Sequence, residues 1–303
     1  MSVLLECVPN ISDGRNAEVI ATVAAAFSSA GAALLGVDSD GDHNRSVITM
    51  VGSPDALIEG VVRGVACARD LIDLTVHEGA HPRMGATDVV PFIPLGDTRE
   101  EDAVAAAVTA AERIWLETGV PTYLYGEAAR RPERTNLAKV RRGQFEGIRE
   151  SITIDPDRAP DFGDAAVHPT AGITAVGARF FLIAFNVNLE TRDLAIAKSI
   201  ATEIREKNGG LPGVKAMGFD LPEKQQVQVS MNLVDYRKTS PAQVFGEIQR
   251  RAEAAGVAVA GSEVVGLIPQ AAAPEDFAES VQIFDFDADE QIVERRIART
   301  QLQ

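Results

Sequence analysis

The stretch ARFFLIAFN, residues 178–186, decides the fold. It begins a series of predicted strands and helices in the same order as the series in the first half of the chain. Its nearly unbroken apolar run is typical of a buried strand. Helical spacing follows at residues 191–208 and is ended by Gly209 and Gly210. The next predicted strands are residues 214–219, 227–233 and 257–265, with a helix over residues 240–255 before the last of them. The order is β-α-β-β-α-β.

The first half of the chain shows the same order. Apolar or alternating runs predict strands at residues 2–8, 32–38, 46–51 and 89–95. Residues 16–30 and 53–74 have helical spacing. Prolines within residues 89–95 predict an edge position or an irregular strand. A further helix, residues 98–117, and a short strand, residues 121–125, extend this unit.

The repeated order predicts an α+β fold built from two consecutive ferredoxin-like βαββαβ subdomains. We place them at residues 1–177 and 178–303, with residues 130–177 as the connection. Residues 155–172 are polar and contain proline and glycine, which predicts a loop. Small ligands commonly bind in clefts between such units, so a ligand cleft or tunnel is expected between them.

Composition excludes several classes of protein. The formal net charge of −15 repels phosphate backbones and argues against nucleic-acid binding. Residues 1–14 lack the features of a secretory signal, and no apolar run is long enough to span a membrane. Only Cys7 and Cys67 are present, which fits a reducing compartment. The sequence therefore predicts a cytoplasmic protein, and any anionic ligand would need a local basic pocket.

The segment HEGAHPRMG, residues 77–85, contains the letters H-E-x-x-H of zinc hydrolases. That motif requires a helix, on which both histidines share one face. Gly79 weakens a helix, and Pro82 pushes His81 toward extended geometry. We therefore expect no metal and predict a histidine on a stiff loop. Taken alone, this histidine could serve in proton transfer or only hydrogen-bond the backbone.

Two other polar segments allow a functional and a structural interpretation. In VDSDGDHNR, residues 37–45, alternating aspartates resemble a calcium loop, but the twelfth position is Thr49 rather than glutamate. Asp38 ends an apolar strand and could point into a site or only cap a turn. Residues 130–142, RRPERTNLAKVRR, could receive a carboxylate-bearing ligand or form a solvated helix face.

Nearly the whole chain resembles the glutamate formiminotransferase family, the transferase part of animal formiminotransferase–cyclodeaminase. The resemblance covers roughly residues 3–270 and is carried by LLECVPNISDGRN, VDSDGDHNRSVITMVG, HEGAHPRMGATDVVPFIP, VPTYLYGEAAR, APDFG, GARFFLIAFNVNL and VVGLIP. It implies two α/β subdomains with a ligand tunnel between them, usually in a homodimer. No cyclodeaminase segment is recognised.

The resemblance also implies site residues. His81 matches the family's catalytic histidine, and Asp38 matches an acidic residue near the family's site. Arg83 and Arg45 are our candidates for binding the substrate carboxylates. The family's folate-contacting loop corresponds here to residues 163–172, which include His168, whereas the animal enzymes place a tryptophan near the end of that loop. The expected folate-contacting residues are Gly163, Asp164, Ala165, Ala166, Val167, His168, Pro169, Thr170, Ala171 and Gly172.

The reaction implied is transfer of the formimino group of N-formimino-L-glutamate to N5 of tetrahydrofolate, the co-substrate, with no metal required. The sequence leaves two alternatives open. A glutamate formyltransferase would use 5-formyltetrahydrofolate or N-formylglutamate, which differ from the formimino compounds by O in place of NH. A non-catalytic folate-binding module could also use paired units of this kind.

Overall fold

A computed structural model of the chain describes residues 3–41, 43–79 and 81–301. Its strands are β1 (Leu5–Cys7), β2 (Asn10–Ile11), β3 (Ala33–Asp40), β4 (Arg45–Gly52), β5 (Thr87–Pro94), β6 (Thr122–Gly126), β7 (Thr174–Ala178), β8 (Ile183–Leu189), β9 (Val214–Leu221), β10 (Gln226–Leu233) and β11 (Val259–Val265). Its helices are α1 (Ala17–Ser28), α2 (Pro54–Leu71), α3 (Glu100–Thr118), α4 (Leu137–Val140), α5 (Gln144–Ser151), α6 (Leu194–Ile204), α7 (Pro241–Ala254), α8 (Phe277–Ser280), α9 (Ala288–Gln291) and α10 (Val293–Gln301).

The chain divides into two compact units, with the division after Arg179. Each unit combines helices with a sheet of its own, which confirms the predicted α+β class. Both contain the repeated β-α-β-β-α-β order, with β1 and β2 as two pieces of one broken strand. The ferredoxin-like label remains an interpretation of that order.

In the first unit, β1 and β2 lie in succession between β4 and β5 and are antiparallel to both. Strand β3 pairs with β4 at one edge, and β7 and β6 extend the sheet beyond β5 in parallel. Alternate residues serve two cores, as the strand period requires. Val90 and Val176 belong to the core formed with α1, α2 and α3. Val89 and Ala175 pack in a second core with Ile148 of α5.

Helices α1 and α2 approach each other closely because α2 carries two glycines. A Cβ at Gly60 would lie 2.1 Å from the carbonyl oxygen of Phe27, and one at Gly64 would lie 2.3 Å from the Phe27 ring. Neither position has room for a methyl group. The buried Phe27 ring therefore occupies the space that larger residues on α2 would need.

The second unit has a four-stranded antiparallel sheet in the order β11, β8, β10, β9. Helices α6 and α7 bury apolar residues such as Ile200 and Ile248. Ser240 caps α7 as predicted, in a capping box with Gln243.

The expectation of an edge position for the strand near residue 90 is wrong, because β5 lies in the interior of its sheet. Pro91 lacks an amide donor, yet its carbonyl oxygen accepts from the Val8 amide at 3.2 Å. The missing donor falls at the break between β1 and β2. There the side chain of Asn10 donates to the Val8 carbonyl oxygen at 2.8 Å. The predicted irregularity is present, as a register shift between β2 and β5.

The strand predicted over residues 178–186 is also placed differently. Residue 178 ends β7 in the first sheet, and the Arg179 amide still donates to the Phe92 carbonyl oxygen at 3.1 Å. Strand β8 begins only at Ile183. The apolar run therefore spans the passage from one unit to the next, which composition alone does not mark.

No helix in the described ranges is long and apolar enough to cross a membrane.

The close approach of α1 and α2 gives a stability prediction. Gly60→Ala should lower the free energy of unfolding by about 1–3 kcal/mol, because the new methyl group meets backbone that cannot move aside. Gly246→Ala in α7 is the control, because a Cβ there meets nothing within 4 Å. That variant should be neutral or more stable, since alanine favours helix. Urea unfolding of both variants measures the difference, and an unaltered stability in Gly60→Ala contradicts the packing described.

Candidate active site

The loop between α2 and β5 lies against the turn that precedes β4. Gly79 has no room for a side chain, because a Cβ there would lie 2.5 Å from the carbonyl oxygen of His43. The Asn44 side chain donates to the Glu78 carbonyl oxygen at 2.8 Å and accepts from the Gly14 amide at 2.9 Å. One side chain thus ties together three loops at the ends of the strands.

The described residues of the H-E-x-x-H segment, 77–79 and 81–85, form no helix. His77 and His81 therefore do not share a helix face, as the proline after His81 predicts. In the part of the chain that the structure describes, no group of three His, Cys, Asp or Glu side chains is placed to hold a metal ion.

His77 and Arg83 hold the loop together. His77 donates from Nε2 to the Asn44 carbonyl oxygen at 3.0 Å, and its Nδ1 accepts from Arg83 Nε at 3.2 Å. Arg83 also binds the Glu146 carboxylate through two nitrogens, at 2.7 and 2.8 Å. A substrate carboxylate at Arg83 would have to displace Glu146. The predicted substrate role of Arg83 stays a prediction.

His81 contacts Arg45, so the structure brings two of the predicted site residues together. His81 Nδ1 lies 2.7 Å from the Pro82 carbonyl oxygen, which can only accept a hydrogen bond. Nδ1 therefore carries the proton. Nε2 is left to accept from Arg45 Nη1 at 3.3 Å. The same Nη1 lies 2.9 Å from Nδ1, and two donors do not bond to each other.

Asp88 organises the groups around His81. Asn10 and Ile11 of β2 pair with Val89 and Thr87 of β5, which leaves Asp88 as the extra residue of a bulge. Its side chain is 1% exposed. The carboxylate accepts from the Met84 amide at 2.8 Å, from Arg45 Nη1 at 3.2 Å and from Arg141 Nη2 at 2.5 Å.

Asn10 fixes the remaining nitrogens of Arg45. Its Oδ1 accepts from Arg45 Nε at 2.9 Å and also from Nη2. Its amide nitrogen is held by the Val8 carbonyl oxygen, as described for the break beside Pro91. The Asn10 side chain therefore connects the break between β1 and β2 to the Arg45 guanidinium beside His81.

Electrostatics keep the imidazole uncharged. Burial lowers the pKa of His81 to about 4, assisted by the positive charges of Arg45 and Arg141 and opposed by Asp88 and the Pro82 hydrogen bond. Burial also lowers the pKa of Arg45 to about 10, and Asp88 opposes this change. At neutral pH the site holds a neutral histidine beside two cations. An anion bound there would favour the imidazolium and raise the pKa of His81 toward neutrality.

Asp38 is not joined to this cluster. It lies on β3 opposite Val47, in the register that pairs Asp40 with Arg45, so these residues share one face of the β3–β4 ribbon. The Asp38 side chain is exposed. It forms no hydrogen bond or ion pair with any residue of the described ranges, 3–41, 43–79 and 81–301. Its catalytic role stays a prediction.

The predicted folate loop, residues 163–172, is attached to the segment that follows His81. His168 and Gly172 exchange backbone hydrogen bonds of 2.8 and 3.0 Å, which closes the end of the loop. Gly172 has φ +70°, and a Cβ there would lie 2.1 Å from the Met84 carbonyl oxygen. The Ala86 amide donates to the Ala171 carbonyl oxygen at 2.8 Å. The contact with folate remains a prediction.

The basic run over residues 130–142 is not one surface. Arg134 is buried, with an ion pair to Asp161 at 2.5 Å. Arg141 belongs to the Asp88 cluster. Arg142 is exposed, and its side chain forms no hydrogen bond or ion pair with any described residue.

Asn10, Asp88 and Arg141 were not among the site residues predicted from the sequence. A carboxylate directly before the apolar run VVPFIP was a usable signal for Asp88. The basic run contained Arg141 without distinguishing it from its neighbours. Nothing in the sequence marks Asn10 beyond its turn-forming character.

Comparison with known proteins identifies the family of the chain. A family model described as "Formiminotransferase domain, N-terminal subdomain" matches residues 4–179, and one described as "Formiminotransferase domain" matches residues 184–303. The chain belongs to the formiminotransferase family. This family assignment covers both units of the structure and agrees with the resemblance found in the sequence.

Individual formiminotransferase relatives extend the match. A "Glutamate formimidoyltransferase" of Streptococcus pyogenes serotype M1 is 47% identical over 298 residues, covering 98% of this chain and 99% of that protein. A protein of the same name from Thermoplasma acidophilum is 42% identical over 299 residues, covering 98% of each chain. The pig "Formimidoyltransferase-cyclodeaminase" is 44% identical over 277 residues, or 89% of this chain and 51% of that protein.

The environment of His81 predicts an unusual titration. In the free protein the imidazole should titrate at about 4, because burial and two arginines oppose the added proton. Histidine-labelled NMR, assigned with a His81→Gln variant, measures it directly. A midpoint near 6.5 would show that the arginines do not act on the ring.

The same shift affects stability. The unfolded chain takes up this proton near pH 6.5 and the folded chain only near pH 4, so the folded state loses stability as pH falls through that interval. His81→Gln should lose less stability than the wild type between these pH values.

Proposed function

We propose that the chain is a glutamate formimidoyltransferase, which moves the formimino group of N-formimino-L-glutamate to N5 of tetrahydrofolate. This is a reaction of histidine degradation and one-carbon metabolism. The observation that carries the proposal is the end-to-end similarity to two microbial proteins with that name. The cluster around His81 supports it, because it places a titratable group beside cations suited to an anionic substrate.

The reaction requires two proton transfers and the alignment of the two substrates. The N5 amine attacks the amidine carbon, and a tetrahedral intermediate forms. N5 then loses a proton, and the departing glutamate nitrogen gains one. Once the weak hydrogen bond from Arg45 Nη1 is released, His81 Nε2 can accept the first proton and return it to the leaving nitrogen. The negative charges of the bound donor would offset Arg45 and Arg141, and this raises the pKa of His81 into a useful range.

Asp38, the loop over residues 163–172 and Arg45 have further roles in the proposed reaction. Asp38 lies on β3, on the face of the β3–β4 ribbon that also carries Arg45, and would favour the cationic amidinium or stabilise the imidazolium. The loop over residues 163–172 would contact the folate, and Arg45 would face a substrate carboxylate. In an activity assay, an unchanged kcat for Asp38→Asn would remove Asp38 from the mechanism.

A parallel assay tests the reaction itself. Tetrahydrofolate consumption is followed with N-formimino-L-glutamate and, separately, with N-formylglutamate. Transfer from the formimino donor supports the proposal. Transfer from the formyl donor alone indicates a glutamate formyltransferase, and folate binding without transfer from either donor indicates a binding module.

The role of His81 has its own prediction. His81→Ala should reduce turnover by about 10²–10⁴, the usual contribution of a positioned acid–base group. Tetrahydrofolate binding and the urea unfolding midpoint at pH 7 should stay close to wild type, because the imidazole is uncharged there and lies on a loop held by other residues. Near-wild-type turnover would exclude His81 from the proton transfers.

We further propose a cytoplasmic homodimer. Both cysteines are free, Cys7 buried and Cys67 half-buried, which supports a reducing compartment. The dimer rests on the family resemblance, and light scattering on the purified protein tests it.

A further inference from the structure

Within the described ranges, 3–41, 43–79 and 81–301, the guanidinium pair beside His81 is short of one negative charge. Among these residues Arg45 and Arg141 share a single carboxylate, that of Asp88. Tyr125 also acts on Arg45, and burial raises the pKa of its phenol to about 12, so it is neutral at pH 7. The cluster therefore carries one net positive charge inside a protein of net charge −15. An uncompensated charge with so little exposure is costly unless a ligand completes it.

Arg141 has the capacity to bind that ligand. Each nitrogen of the Arg45 guanidinium already has a partner in Asn10, Asp88 or His81, so this group has little donor capacity left for a second ligand. Arg141 differs, because its Nη2 binds Asp88 while its Nε is buried and has no hydrogen-bond partner among the described residues. Its side chain is 15% exposed, so part of it remains within reach of a ligand.

We propose that Arg141 binds the α-carboxylate of the glutamate donor. The inference deepens the proposed function and rests on it, because it assigns one group of that donor to one residue. Arginine suits the task, since its planar guanidinium presents five N–H donors and can hold Asp88 and a second carboxylate at the same time.

Donor chemistry selects the α-carboxylate over the other candidates. In N-formimino-L-glutamate the α-carboxylate is bonded to the same carbon as the reacting nitrogen. The γ-carboxylate is two methylene groups farther away, and the glutamate tail of a folate lies beyond its aromatic spacer. Arg141 shares an Asp88 oxygen with Arg45, which contacts the His81 ring. A carboxylate at Arg141 must therefore lie close to the reacting nitrogen.

The test compares donors as well as variants. N-formimino-4-aminobutyrate is the glutamate donor without its α-carboxylate, and N-formimino-2-aminobutyrate is the donor without its γ-carboxylate. The wild type should favour the full donor over the 4-aminobutyrate compound by at least about 30-fold in kcat/KM, as expected for a charged hydrogen-bonded pair. In Arg141→Gln this preference should nearly vanish. The preference over the 2-aminobutyrate compound, and the KM for tetrahydrofolate, should be unchanged.

Arg142→Gln is the matched control, because it removes the same charge from the neighbouring, exposed residue. It should keep the wild-type preference between donors. Arg141→Lys retains the charge without the fork and should give an intermediate preference. It also covers the case in which Arg141→Gln does not fold. Equal donor preference in Arg141→Lys and wild type, or equal loss in Arg141→Gln and Arg142→Gln, overturns the assignment while leaving the transferase proposal intact.

A binding experiment separates failure of this inference from failure of the proposed function. L-glutamate added to the free protein should shift the NMR signal of the His81 imidazole in the wild type and in Arg142→Gln, but not in Arg141→Gln. 4-Aminobutyrate should produce no shift. If the wild type transfers from neither donor and the Arg141-dependent shift is still seen, the function is wrong and the carboxylate site stands. A glutamate shift that is the same in all three proteins overturns the site.

Discussion

The arrangement of the site depends on one shared carboxylate. Asp88 holds two guanidinium groups that would otherwise repel each other, and it does so from a nearly fully buried position. The backbone amide of Met84 also donates to it, so the loop leading from His81 into β5 is fixed by the same group. A bulge supplies the needed geometry, because a regular β5 would direct this residue elsewhere. The position of His81 and the charge around it therefore both depend on Asp88.

The local field differs in sign from that of the whole protein. An excess of acidic groups gives the chain a net charge of −15, yet the nearest charges to His81 sum to a positive value. Short-range interactions prevail because surface charges are screened within about 10 Å in ordinary salt, whereas the buried pair is screened much less. Global charge is accordingly a poor guide to which ligands such a protein accepts.

Much of the fold was predictable because it follows from local periodicity. The two β-α-β-β-α-β series, the caps of α2 and α7 and the non-helical loop at His81 all rest on spacing or on a single proline. The interior position of β5 was not predictable, since Pro91 is accommodated by a side chain of β2, which pairs with β5 but lies far from it in the sequence. Likewise, the importance of Asp88 and Arg141 follows from a bulge and from a contact across 53 positions of sequence. Family resemblance supplied His81, and of the three charged groups around it only Arg45 was a candidate from the sequence.

Asn10 joins two tasks that proteins usually assign to different residues. Its amide nitrogen completes the hydrogen bonding of a backbone carbonyl beside a proline, and its amide oxygen orients an arginine of the site. The stability of the sheet and the arrangement of the site therefore both depend on Asn10. Selection for either property constrains the other, and loss of the proline from the neighbouring strand would release only the first of the two tasks.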